Sequence, residues 1–368
     1  MGIKVLVISN YRDYHSTRPE ASIFIGLAKI GFQIFIMTYK DSEHVDEFET
    51  AGIKVIDFQP EKKLNKSEIR RIKNVIVKEK IDIIHLFNSK AIINGIQAAK
   101  GLPVKVVLYR GYAANIHWYD PTAYYKFLHP RVDKIFCNSK GVEEQIQRQL
   151  FFDKTKTITI NKGHNIEWYK EYHPYNIREE LGIPSNAFLL ISVANNRKVK
   201  GIIYLLKAFN LLSKYLSIHL LLVGKDMDNK KNLDLVNQGG NKHRIHFMGF
   251  RNDVLKIVSA CDVFILTSIY GESITKSVIE AMALGITPII TRIPGNKELV
   301  INEESGLTTT PKNSVELSEA ILRLYNNQGF CKELGRNAKM RIANHLNSSQ
   351  TILKTKKLYE DLMSNDDC

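Results

Sequence analysis

Three observations predict an α/β fold of two Rossmann-like domains facing across a cleft. Short apolar, β-rich runs alternate with helical stretches through the first half of the chain, and the same alternation restarts after residues 161–174. That rhythm builds βαβ units around parallel sheets. At 368 residues the chain is also longer than one ordinary core supports, which points to two domains.

The first strand is expected over 3–9, where Met1-Gly-Ile-Lys-Val-Leu-Val-Ile-Ser turns apolar at once. Further strands are expected at 33–38, 53–57, 81–86, 104–109, 133–138 and 157–160. Residues 161–174 (Asn-Lys-Gly-His-Asn-Ile-Glu-Trp-Tyr-Lys-Glu-Tyr-His-Pro) lose clear periodicity and read as the linker. The second series follows at 188–194, 219–224, 244–249, 262–267 and 287–291. Helical segments near 313–327, 331–346 and 348–364 close the chain. The expected division is therefore 1–165, 175–347, and a C-terminal helix over 348–368 packing back on the first domain. Ligands of such sheets bind outside the carboxyl ends of the strands, so the cleft floor is the expected site.

With 44% apolar and 24% charged residues the composition is that of a globular protein. Its apolar runs are far shorter than the ~20 residues that span a bilayer. No signal-peptide pattern is seen, and Leu6 stands where myristoylation wants Ser or Thr. A cytoplasmic location is expected, with the inner face of the cell membrane as a second option. Cys137, Cys261, Cys331 and Cys368 lack metal-site spacing, so reduced thiols and no metal are expected. The net charge of +14 and pI near 9.4 suggest a polyanionic partner, and the excess lies in the first half. Its densest part, 61–80, puts Ile69, Ile72 and Ile76 on one helical face and Lys and Arg on the other. That pattern fits a helix covering the sheet with a solvated basic face, or one lying on an anionic membrane. No aromatic residues interleave with those charges, so nucleic acid is not the expected partner.

The most informative stretch is 270–285, Tyr-Gly-Glu-Ser-Ile-Thr-Lys-Ser-Val-Ile-Glu-Ala-Met-Ala-Leu-Gly. A buried strand over 261–267 feeds directly into it. The helix that follows offers unpaired backbone N–H groups and a partial positive charge to an anion such as a diphosphate. Glu280 falls about five residues into that helix, roughly 7 to 8 Å from its phosphate-binding end at 1.5 Å rise per residue, within reach of both hydroxyls of an attached ribose. Glu272, outside the helix, would face the other end of the ligand. Val278, Ile279, Met282 and Ala283 make an apolar stripe, so Glu280 borders a buried face and needs a partner.

Glu272 to Glu280 and the Glu280-Ala281-Met282-Ala283-Leu284-Gly285 tail resemble the E-x7-E segment of the retaining, nucleotide-sugar-dependent glycosyltransferases with two Rossmann-like domains, the GT-B fold of glycosyl transferases group 1. Lys200-Gly201, Val223-Gly224, Phe247 to Asp253, Pro294 to Glu298 and Gly306-Leu307 stand at matching distances, and the resemblance covers nearly the whole chain. It implies that 1–165 is an acceptor domain and 175–347 a donor domain. It further implies that Glu272 contacts the donor sugar, that Glu280 holds the ribose, and that backbone N–H groups from Ser273 through Ile274 and Thr275 to Lys276 receive the phosphates. Lys200 would stabilise the departing diphosphate. The family's Arg five residues before that Lys is here Asn195, with Arg197 the replacement. Gly249, Phe250 and Arg251 would lie beside the base, largely through backbone.

The first domain departs further from the family pattern. The Gly-rich turn that in relatives approaches the diphosphate is replaced by Tyr14-His15-Ser16-Thr17-Arg18-Pro19-Glu20, which leaves the side chains of Thr17 or Arg18 for the task. Arg110-Gly111 stands where relatives often carry His-Gly, giving a fixed cation, and His117 is a further acceptor-side candidate. A covalent route would want a carboxylate beneath the anomeric carbon, and none stands out in the first half. Same-face displacement is therefore expected: the donor phosphate takes the acceptor's proton while Lys200 and Arg197 carry the charge. Asp226-Met227-Asp228 has a metal-site look but falls in a turn, and no metal or cofactor is expected beyond the nucleotide-diphosphate sugar itself. The expected activity is transfer of a sugar to a cell-envelope glycan or lipid-linked acceptor. A nucleotide-sugar epimerase and a non-catalytic nucleotide- or polyanion-binding protein are the alternatives.

Overall fold

A computed structural model describes residues 2–112, 115–151 and 153–364; Cys368, noted above for its terminal position, lies outside them. The chain forms two compact units, Met1–Asn165 with Leu346–Cys368, and Ile166–His345.

Unit 1 begins with β1 (Lys4–Ile8), α1 (Tyr14–Lys29), β2 (Gln33–Thr38), α2 (Val45–Thr50), β3 (Lys54–Asp57), α3 (Lys66–Glu79) and β4 (Ile83–Leu86). It continues with α4 (Ser89–Ala98), β5 (Lys105–Arg110), β6 (Lys134–Cys137), α5 (Lys140–Gln147) and β7 (Thr157–Thr159). The seven strands pair in parallel in the order β3-β2-β1-β4-β5-β6-β7. Successive strand residues point to opposite faces, and β1 shows it: Leu6 and Ile8 join one apolar core with Ile72 and Ile76 of α3 and Ile92 and Ile96 of α4, whereas Val5 and Val7 join another with Phe24 and Leu27 of α1. Asparagine side chains cap α3 and α4, Asn65 accepting from Ser67 and Glu68 and Asn88 from Lys90 and Ala91.

Unit 2 holds α6 (Ile177–Glu180), β8 (Phe188–Val193), α7 (Ile202–Asn210), β9 (Ile218–Val223), α8 (Lys230–Gln238), β10 (Ile245–Gly249) and α9 (Val254–Ser259). Then come β11 (Val263–Leu266), α10 (Lys276–Ala283), β12 (Thr287–Thr291), β13 (Leu307–Thr309), α11 (Ser314–Asn326) and α12 (Gln328–His345). This sheet is also parallel, ordered β10-β9-β8-β11-β12-β13. The strand β13 was not anticipated.

The last helix, α13 (Ser348–Ser364), belongs to unit 1 and packs on α1. A Cβ at Gly26 would lie 2.2 Å from the end of the Ile352 side chain, so a larger residue there would make Ile352 move. Tyr359 places its hydroxyl 2.7 Å from His85 Nδ1 on β4, and Thr351 donates to the Asn161 carbonyl at 2.7 Å.

One expectation is corrected here. Residues 14–20 are not a turn replacing a Gly-rich loop; they open α1, capped by Asp13, whose carboxylate accepts from Ser16 N–H at 2.9 Å. The hydroxyl of Thr17 donates to the Asp13 carbonyl at 2.6 Å, so it is committed to the first helical turn.

Candidate active site

In unit 2 the chain runs outward from β8 through β9 to β10 and then returns to β11 on the other side of β8. The carboxyl ends of β8 and β11 therefore flank the point where the strand order reverses, the place where open sheets take ligands. Lys200 follows β8 and Glu272 follows β11. Their side chains meet there, Lys200 Nζ 2.8 Å from Glu272 Oε1, with only 10% and 15% of the two side chains exposed.

Local structure explains how the pair is held. Residues 198–200 form a single 3-10 turn closed by Gly201 in the left-handed region (φ 64°). A Cβ on Gly201 would sit 2.2 Å from the Thr267 carbonyl, so glycine allows this loop to press on the end of β11. Thr267 donates its hydroxyl to the Lys200 carbonyl (3.0 Å), and Ile269 N–H donates to Val199 (2.8 Å). On the other side, Ser268 donates to Glu272 Oε1 at 3.4 Å. Gly295 closes the cradle: a Cβ there would fall 1.8 Å from the Glu272 carbonyl.

Helix α10 starts at Lys276 with Thr275 at its N-cap position, yet no side chain caps it. The Thr275 hydroxyl turns instead toward Glu272 Oε2 (3.5 Å) and Asn296 Oδ1 (3.3 Å). The first-turn N–H groups of a helix lack intrahelical acceptors, so this end presents donors and the positive end of the helix dipole. Ser273, Ile274 and Thr275 are buried. Glu280, the fifth residue of α10, pairs with Lys276 across one turn at 3.0 Å and is 14% exposed in its side chain. This ion pair supplies the partner that its position at the edge of the apolar stripe demanded.

The other donor-side candidates spread along the same strand ends. Asn195 and Arg197 are exposed on the loop after β8, and Asn195 accepts from Lys225 N–H at 3.2 Å. Gly249 ends β10 with φ 62°, and its carbonyl accepts from Gly224 N–H at 2.8 Å. Phe250 is 64% exposed, with the Lys225 ammonium 5.7 Å from its ring centre. Arg251 is committed elsewhere: its guanidinium binds Glu180 and Asp253, each at 2.8 Å, and these bonds raise its pKa. Asn296, 1% exposed and bonded to Thr275, was missed as a site residue, because nothing in the spacing ties it to a hydroxyl at 275. Among the described residues no cluster of three or more His, Cys, Asp or Glu side chains is arranged to hold a metal.

In unit 1, Arg110 closes β5 with its guanidinium 4.9 Å from the Phe127 ring centre and 5.7 Å from that of Tyr112. Burial lowers its pKa to about 10. His117 stacks on Tyr119 at 5.0 Å. Arg18 lies 5.5 Å from the Tyr14 ring centre in the first turns of α1.

The pattern of Glycosyl transferases group 1 matches residues 175–341, and that of Glycosyltransferase Family 4 matches residues 23–168. An Escherichia coli UDP-Gal:alpha-D-GlcNAc-diphosphoundecaprenol alpha-1,3-galactosyltransferase is 26% identical over 79% of this chain and 78% of its own length. The Campylobacter jejuni N,N'-diacetylbacillosaminyl-diphospho-undecaprenol alpha-1,3-N-acetylgalactosaminyltransferase is 25% identical over 83% and 85%. Among solved structures, a glycosyltransferase from Rickettsia africae superimposes with a TM-score of 0.83 over 99% of both chains at 19% identity. Anabaena HepE in complex with UDP gives 0.79 over 98% of this chain and all of that one at 20% identity. These structural likenesses establish the two-domain Rossmann-like fold.

Proposed function

The chain belongs to the glycosyl transferases group 1, and from that membership we propose that it moves a sugar, with retention, from a nucleotide-diphosphate sugar bound on unit 2 to a lipid-linked glycan of the cell envelope. The observation that carries this reading is the buried Lys200–Glu272 pair at the strand reversal, beside an uncapped helix end. A diphosphate placed there accepts from the backbone N–H groups at the head of α10 and from the Lys200 ammonium, and Glu280 takes the ribose hydroxyls. Glu272 holds a sugar hydroxyl near the reacting carbon.

In the reaction, the bond from the anomeric carbon to the diphosphate oxygen breaks and its electron pair stays on the phosphate. The acceptor hydroxyl oxygen bonds the same face of that carbon, and its proton passes to the phosphate. Lys200 and the exposed Arg197 stabilise the charge that grows on the leaving group. With two side-chain cations assigned that role, the mechanism needs no metal. Arg110, His117 and Arg18 are the acceptor-side candidates of unit 1; the hydroxyl of Thr17, which is spent on α1, is not.

The acceptor class is drawn from the two relatives, whose names both specify diphospho-undecaprenol substrates. With an acceptor of that kind, the proposed enzyme works at an anionic membrane surface, on the cytoplasmic side. Among the described residues no helix is long and apolar enough to cross a membrane, and the exposed basic face of α3 at Lys66, Arg70 and Lys73 is suited to that surface. The test is transfer from radiolabelled UDP-, GDP- and ADP-sugars to polyprenyl-diphosphate sugars, with and without EDTA. Product with the α-anomer of an α-donor, insensitive to EDTA, is expected; an inverted product or complete dependence on a metal overturns the mechanism.

A further inference from the structure

Unit 1 carries an exposed aromatic surface that begins beside the acceptor-side candidate His117, which stacks on Tyr119. Trp118, Tyr119, Tyr124, Tyr125 and Phe151 are between 41% and 65% exposed, although large apolar side chains are normally scattered singly on a protein surface. Here four of them associate. Trp118 meets Phe151 edge to face at 5.4 Å and Tyr119 at 5.8 Å, and the Tyr124 hydroxyl donates to the Trp118 carbonyl at 2.9 Å. Tyr124 and Phe151 also stand at a cavity of about 380 Å³ with Phe127, Leu128, Pro130 and Leu150 in its wall.

The rim is basic. Lys156 at the cavity donates to the Pro130 carbonyl at 3.1 Å, Lys154 is exposed beside it, and the charges of Lys100, Arg131 and Lys156 reach His129 in the cavity lining. Two acids stand nearby, Asp153 in the cavity lining and Asp120 in the adjoining loop; Asp120 accepts from Thr122 and Asp153 from Thr155, each through backbone N–H and hydroxyl, and the lysines and arginines around them outnumber them. Phe127 of the cavity wall belongs to the same apolar core as Ile72 and Ile76 of α3, so the aromatic patch and the basic helix share one layer of the unit.

Tyr and Trp rings sit at the headgroup level of a bilayer, with apolar bodies inward and polar tips toward water, while Lys and Arg beside them attract anionic headgroups. We propose that this face of unit 1, centred on Trp118 and Phe151, seats on an anionic lipid bilayer, with the rings at headgroup depth and the cavity taking one lipid chain. The proposal rests on the lipid-linked acceptor reading above, and names which surface meets the membrane.

Trp118 and Trp168 are the only tryptophans, so a Trp168→Phe chain reports Trp118 alone. Mixed with vesicles of phosphatidylcholine and phosphatidylglycerol, its emission is expected to shift to the blue and to be quenched by bromine-labelled lipid chains; vesicles of phosphatidylcholine alone should bind more weakly. Trp118→Ser with Phe151→Ser should lower partition onto the anionic vesicles by at least about tenfold, and Lys154→Glu should lower it several-fold. UDP binding by the same variants serves as the folding control and is expected to be unchanged. The proposal is overturned if Trp118 emission does not respond while the protein sediments with vesicles, if no vesicle binds, or if the double variant partitions as the parent does. It is equally overturned if the patch instead drives a concentration-dependent dimer that the double variant abolishes. UDP binding that fails in the parent chain would count against the donor site alone and leave the vesicle result to be judged separately.

Discussion

Replacing Lys200 with Ala isolates what the buried pair contributes. At 2.8 Å separation, two unit charges attract by about 6 kcal/mol at an effective dielectric of ~20, and desolvation of both groups offsets much of that. Removing one partner leaves the other charge buried and uncompensated, which costs about 3 kcal/mol or more. For a unit the size of Ile166–His345 each kcal/mol corresponds to roughly 2 to 4 °C in Tm, so the transition of that unit in Lys200→Ala should lie on the order of 6 to 12 °C below the parent's in a thermal scan followed by circular dichroism. Adding Glu272→Gln removes the stranded charge and should recover part of the loss. Transfer should not recover: the leaving group has lost its cation, an effect of about 10²- to 10³-fold on kcat. A Lys200→Ala chain that melts within a degree or two of the parent, or a double variant that shows no recovery, would refute the claim that these two groups are held as a buried ion pair.

Further outcomes follow from neighbouring groups. Glu280→Ala should weaken nucleoside diphosphate binding by about 10- to 100-fold, the value of hydrogen bonds to one charged group, as read by isothermal titration calorimetry. Gly295→Ala should lower kcat by about 10²-fold in steady-state kinetics, because a Cβ there displaces the Glu272 backbone and an ångström of misplacement at a reacting centre costs that much. His85 is fully buried and its pKa is lowered to about 3, first by desolvation and then by Lys162. The unfolded chain thus binds a proton that the folded one refuses, so this contribution to stability is present above about pH 6.5 and is lost as pH falls toward 3. Urea midpoints measured across that window should show a shallower dependence in His85→Gln.

Much of the fold was legible because buried parallel strands are apolar runs with little competition from other patterns: the expected strands 33–38 and 287–291 coincide with β2 and β12. The strand β13 was not, since its three residues, Leu307–Thr309, are too few and too polar to stand out. The family resemblance sets 14–20 against a Gly-rich turn of relatives; Asp13 as N-cap and the Thr17 hydroxyl make the segment helix instead. At the site, the 272–280 segment carried its own spacing and was visible. The pairing of Lys200 with Glu272, and the chain from Glu272 through Thr275 to Asn296, join residues far apart in sequence and follow from sheet order, which no local pattern encodes. Arg251 shows the reverse: a cation next to a motif, but already held by Glu180 and Asp253.

The most direct measurement is a crystal structure of this chain grown with UDP or whichever nucleoside diphosphate binds. We expect the diphosphate within hydrogen-bonding distance of Lys200 Nζ and the backbone N–H groups at the head of α10, with the ribose hydroxyls on Glu280. A nucleotide bound elsewhere, with Lys200 and Glu272 still paired and the head of α10 untouched, would contradict the account.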